Sequence, residues 1–184
     1  MADEVMGGTK TKKFVRKLLG RMGTPELRFE EVTQVSAEFL YVFLHVADRE
    51  AFGTLDEQKR NEFIDTLIDE TIYSFVKTLI TITEGAVEIS GYKMDDFDLE
   101  EQELVRGGAY KEFDERHLEY SKCKDLFAEP GEPLGKTVFW EFGSVISQAI
   151  GKEKDIYWVS VAFGLAVSAL KEINIQDALD KIAS

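Results

Sequence analysis

The chain is short of the residues that build many kinds of site. It has one cysteine, Cys123, so no internal disulfide can form. That usage belongs to a reducing compartment, and the expected location is the cytoplasm. Histidines number two, His45 and His117, a count that barely suffices for a metal or acid–base constellation. Three prolines occur, and two of them, Pro130 and Pro133, share one loop, which leaves the rest free to be helical. Bases are scarce as well: 22 Lys and Arg stand against 35 Asp and Glu, for a net charge of −13 and a pI near 4.7. A polyanion would be repelled over most of such a surface, which excludes nucleic acid as the main partner. Long apolar runs are also missing. The greasiest, IYWVSVAFGLAVSAL at 156–170, has 15 residues with two serines, short for a bilayer span and typical of a core helix. No secretory signal is visible, because the first apolar stretch is short and broken by charge.

What is present reads as helix. The 184 residues, 44% hydrophobic and 31% charged, are most simply one soluble domain with a sizeable core. Residues 1–23 form a basic amphipathic segment, with Phe14, Val15, Leu18 and Leu19 on one side of a first predicted helix over 9–21. The segment carries a net charge of +4 and leaves −17 for the helical domain at 24–184. Thr24 and Pro25 supply a start signal for a second helix, which runs to about Phe52. Gly53 closes it, and Thr54 with Glu57 has capping-box spacing for a third, so these two are expected to form a tight antiparallel hairpin. The third helix repeats Phe63, Leu67, Ile68, Ile72, Phe75 and Val76 at helical spacing. Its far end, 79–92, alternates like a strand and leaves a short hairpin open there. A fourth helix follows the acidic stretch DDFDLEEQE and is expected to reach about Ala128. After the loop EPGEPLG at 129–135 come a fifth helix to Gly151 and a sixth from Asp155, with Asn174 placed to cap a separate last turn. The predicted architecture is an all-α bundle of five to six helices.

The fifth and sixth helices carry coincident small-residue stripes, Gly143, Ser147, Gly151 and Ser160, Gly164, Ser168. Small residues let backbones approach closely. Both helices are otherwise apolar nearly all round, which predicts a buried pair at the centre of the bundle, or a stripe used for self-association.

Chemistry is thinner. LHVADREAF at 44–52 puts a histidine, an aspartate and an arginine within five positions. At about 100° per residue, Glu31, Gln34, Glu38, Tyr41, His45, Asp48 and Arg49 form one polar arc of the second helix. The plain reading is a solvated or interhelical polar seam. The sharper reading is a carboxylate–histidine centre for iron or manganese inside the bundle, drawn from Glu38, His45, Asp114, His117 and Glu141. The di-metal pattern wants Glu three residues before each His, but position 42 is Val42 and position 114 is Asp114. The expectation is therefore that the two imidazoles lie too far apart or too wet to share an ion. GEPLGKT at 131–137 has three residues between its glycines where a phosphate loop needs four, and no strand precedes it. The acidic stretch lacks the glycine and glutamate positions of a calcium loop. Cys123 lies between Lys122 and Lys124 with no histidine near it in sequence.

No catalytic residue is assigned. The expected function is that of a non-catalytic cytoplasmic protein that binds another protein or a second copy of itself, without a cofactor. Lys12, Lys13, Arg16, Lys17 and Arg21 are the candidate partner-binding residues, and an anionic membrane surface is a less favoured partner for them. The alternatives are the metalloprotein just described and a carrier whose aromatic-rich core holds a hydrophobic ligand.

Overall fold

The structure, a computed structural model, describes residues 29–90, 99–128, 134–153 and 155–183. The protein is all-α. Its helices are α1 (Phe29–Thr54), α2 (Glu57–Ser90), α3 (Leu99–Ser121), α4 (Val138–Ala149), α5 (Ile156–Ile173) and α6 (Ile175–Ala183), with a 3-10 turn over Leu134–Lys136. These correspond to the second through sixth predicted helices and the separate last turn. The first predicted helix and the start at Pro25 lie outside the described residues.

The hairpin between α1 and α2 is present, but its cap is shifted. α1 runs through Gly53, and Thr54 Oγ1 donates to the Glu50 carbonyl instead of capping. Asp56 takes the capping role, its Oδ1 accepting from the Lys59 amide at 2.9 Å. Both residue types cap well, and the winner is the one whose backbone has already left the helix. α2 is helical through Ser90, so the strand-like alternation from position 79 resolves as helix. α3 stops at Ser121, seven residues before the expected end. The Arg49 guanidinium draws the chain off there, donating from Nη1 to the Cys123 carbonyl (3.1 Å) and from Nη2 to the Lys124 carbonyl (2.7 Å).

α4 begins where expected, with Thr137 as N-cap accepting from the Trp140 amide. The Asp125 and Leu126 carbonyls take the next two amides, Val138 and Phe139. The first three amides of α4 are thus occupied, and none of them is free for a phosphate. Asp155 caps α5, and Asn174, left-handed at φ 49°, ends it and lets α6 turn away.

α4 and α5 form the most closely packed pair, but with only half the expected stripes. On α4 the stripe is right: Gly143 and Ser147 are buried, and a Cβ at Gly143 would lie 2.8 Å from the Val159 carbonyl oxygen and its Cγ1. On α5 the facing stripe is Val159, Ala162, Ala166 and Ala169; Ser160, Gly164 and Ser168 point to solvent. Alanine serves close approach nearly as well as glycine or serine, and spacing alone does not say which small stripe turns inward. Nor is this pair the hub. α1 packs against α2, α3, α4 and α6, and the core assembles around Val35, Phe39, Val42 and Val46 on it, with Phe139, Phe142 and Ile146 from α4. Leu179 of α6 closes a second small cluster over Ala51 and Leu55.

Candidate functional site

From Glu38 to Asp48 the polar arc of α1 faces inward, while Gln34 is exposed. Its upper part meets α3, where Glu38, 3% exposed, accepts from Arg116 Nε (3.0 Å) and Nη2 (2.8 Å) and from the Tyr120 hydroxyl. Tyr41 donates to Glu112 across the same interface at 3.3 Å. Burial next to carboxylates pushes both phenols above their ordinary pKa, first through desolvation and then through the negative charge of Glu112 or Glu38. At the lower end Asp48 is held from α2 by Arg60, Nε to Oδ1 at 2.9 Å and Nη2 to Oδ2 at 2.8 Å. Buried carboxylates are thus each matched by a forked guanidinium, the arrangement that makes such burial tolerable.

Between these two ion pairs sit both histidines. His45 Nδ1 lies 3.3 Å from His117 Nδ1, and the ring centroids are 4.9 Å apart. The expectation placed them too far apart or too wet to share an ion; the separation is small and His45 is buried. They are 72 residues apart in sequence, and only the α1–α3 packing brings them together. His117 Nε2 looks the other way, 3.8 Å from Asp48 Oδ2. His45 is 2% exposed and its Nε2 has no hydrogen-bond partner. Desolvation, with help from His117 and Arg49 and against Asp48, lowers its pKa to about 4, so this ring is neutral near pH 7. The aromatic rings of Tyr120 (5.5 Å from His45) and Phe113 (5.6 Å from His117) wall the pair in.

Of the five residues drawn together from sequence as a metal centre, the structure unites His45 and His117 only. Glu38 is engaged by Arg116, Asp114 is exposed, and Glu141 sits half-buried in the first turn of α4. There its charge, after burial, helps push the Cys123 thiol up, the reverse of activation by the flanking lysines. No group of three His, Cys, Asp or Glu positioned to hold an ion occurs among the described residues. Asp48, Arg60, Arg116 and Tyr120 complete the seam and were not drawn into that set. Asp48 shares the polar arc and was legible; the two arginines had no signal beyond belonging to helices. Lys12, Lys13, Arg16, Lys17 and Arg21 lie outside the described residues.

A second feature lies on the surface. Along α5 the stripe Tyr157, Ser160, Gly164 and Ser168 is open to solvent, and a Cβ on Gly164 would meet nothing within 4 Å. Ile156 (60% exposed), Tyr157 (63%) and Phe163 (37%) flank or join it. An 18-residue window within Ile156–Ala183 has mean hydropathy 1.4, yet only 22% of it is buried. An open groove of about 590 Å³ at the start of α2 is walled by Asp56, Glu57, Glu62 and Asp65, a lining that suits no hydrophobic ligand.

The fold and these two features define a class, an all-α bundle with a buried ionic seam and one bare apolar helix face. No family model, curated protein or solved structure matches the chain.

Proposed function

We propose that the protein is a non-catalytic cytoplasmic binding protein whose partner is a second copy of itself, docked along α5. The observation that supports this reading is the uncharged face of α5, where a glycine–serine stripe stands open between large apolar side chains. A dimer with twofold symmetry applies one patch to itself, so a patch of small residues rimmed by bulk is self-complementary when two helices cross on it. Between Ile156 and Leu170 there is no charge to desolvate on either copy, which removes the chief cost of closing the contact. Apolar area left in water is also what association would bury.

The test is sedimentation equilibrium of the full chain across micromolar concentrations. The expected result is a dimer that Gly164→Leu converts to monomer with an unchanged circular-dichroism spectrum, since the added side chain has free space in the single copy. A wild-type chain that stays monomeric throughout overturns the reading. Flotation of that monomer with lipid vesicles would transfer the face to a membrane surface.

A further inference from the structure

We propose that the contact between His45 and His117 is an acid-sensitive latch, which holds α3 to α1 near neutral pH and releases it when the imidazole pair takes up a proton. The first observation is the geometry of the contact. Nδ1 of one ring faces Nδ1 of the other at 3.3 Å, so the hydrogen bond needs a single proton between two nitrogens. The second is that His45 is 2% exposed and its Nε2 has no partner. Buried N–H groups without an acceptor are rarer than buried acceptors without a donor. The neutral pair therefore has His45 Nδ1–H donating to His117 Nδ1, with the other hydrogen of His117 on Nε2, towards Asp48 Oδ2 at 3.8 Å. A further proton has two places to go. On His117 Nδ1 it sets two donors face to face and breaks the contact. On His45 Nε2 it makes a desolvated cation whose new N–H meets no acceptor, a burial that costs more than the hydrogen bond returns.

The surroundings offer such a proton little compensation. On α1, Arg49 opposes a charge on His45, while Asp48 favours one. Asp48, however, is held on both oxygens by Arg60 of α2. On α3, His117 opposes the charge too. Tyr120, 5.5 Å from His45, gives its hydroxyl hydrogen to Glu38 beneath the Arg116 guanidinium. Burial, then these charges, hold the folded ring's pKa at about 4, against 6.5 for the ring in water. The contact is therefore at full strength above pH 6.5 and weakens as pH falls towards about 4, because the released ring binds the proton and the buried one does not. The His117 side chain, 34% exposed, gives the proton its way in. Release reaches the end of α3, where Arg49 holds the Cys123 and Lys124 carbonyls and the Cys123 thiol is buried.

That thiol, the chain's single cysteine, reports the release directly. The experiment measures the reaction of Cys123 with a pyridyl disulfide from pH 7 to pH 4, relative to the urea-unfolded chain at each pH. Protection in the wild-type chain should fall on the order of 100-fold over that range, the size of a displacement of about two pKa units. His45→Phe, which fills the site and takes no proton, should keep its protection within about threefold. Wild-type protection unchanged down to pH 4 overturns the proposal, as does an equal fall in the variant, which would assign the release to Glu38 or Asp48. Ring ¹³C resonances of the wild-type chain supply a test that needs no variant. His45 should gain its proton over the same pH interval in which Cys123 becomes reactive, and a protonated His45 ring beside a protected thiol refutes the latch. The dimer reading rests on other residues, along α5, and is tested separately by sedimentation.

Discussion

Glu38 shows how much one buried carboxylate depends on its neighbours. It is enclosed between α1 and α3, with Arg116 on both oxygens and the Tyr120 hydroxyl on one. Removing one member leaves the other charge desolvated and alone, which costs more than the pair is worth. Glu38→Ala should therefore lower unfolding free energy by about 3–5 kcal/mol, measured by urea denaturation. Glu38→Leu combined with Arg116→Met should recover most of that loss, because no charge is then stranded. Equal destabilisation by the single and the double variant would show that shape, not charge, sets the cost. The sequence displayed Glu38 on a polar arc but held no sign of Arg116, 78 residues away. Residue chemistry announces the need for a partner, while only packing chooses it. The meeting of His45 with His117 was hidden for the same reason.

At the scale of elements, boundaries were legible wherever a cap announced itself. Asp155 and Asn174 both act at the positions their residue types suggested. The failures have a common cause. α3 ends early where Arg49 of another helix holds the carbonyls of Cys123 and Lys124 just beyond it, and Asp56 displaces Thr54 because two good caps compete within one turn. Stripe spacing had a similar ambiguity on α5, where two small-residue stripes lie on different sides. Glycine substitutions separate them. Gly143→Ala places a methyl against the Val159 carbonyl and should destabilise the fold by about 1–3 kcal/mol, as overpacked sites do. Gly164→Ala, in open space on a helix, should be neutral or stabilise by up to about 1 kcal/mol. Both are read from chemical denaturation at low protein concentration; a reversal of the order would mean that α5 is rotated about its axis.

For the whole molecule, the pattern suggested a centre at the apolar pair α4 and α5, whereas the centre is α1. Between Val35 and Asp48 both its apolar and its ionic face are interior, and amphipathic periodicity cannot distinguish a polar face turned to water from one matched by arginines on neighbouring helices. Helices on several sides of it imply that α1 opens only when the bundle does. Native-state hydrogen exchange should find the slowest amides between Val35 and Ala47, and faster ones along the outer face of α5. Protection highest in α5 would move the hub back to where periodicity had placed it.

The left-handed residue at Asn174 has a consequence for reach. Without it, Ile156–Ala183 would continue as one straight rod of 28 residues, about 42 Å long. That exceeds the roughly 30 Å of a bilayer's hydrocarbon layer. The bend at φ 49° leaves a rod of 18 residues, near 27 Å, and folds the remaining nine back as a latch over Ala51 and Leu55. A single backbone dihedral thus divides the greasiest part of the chain into a platform and a clasp.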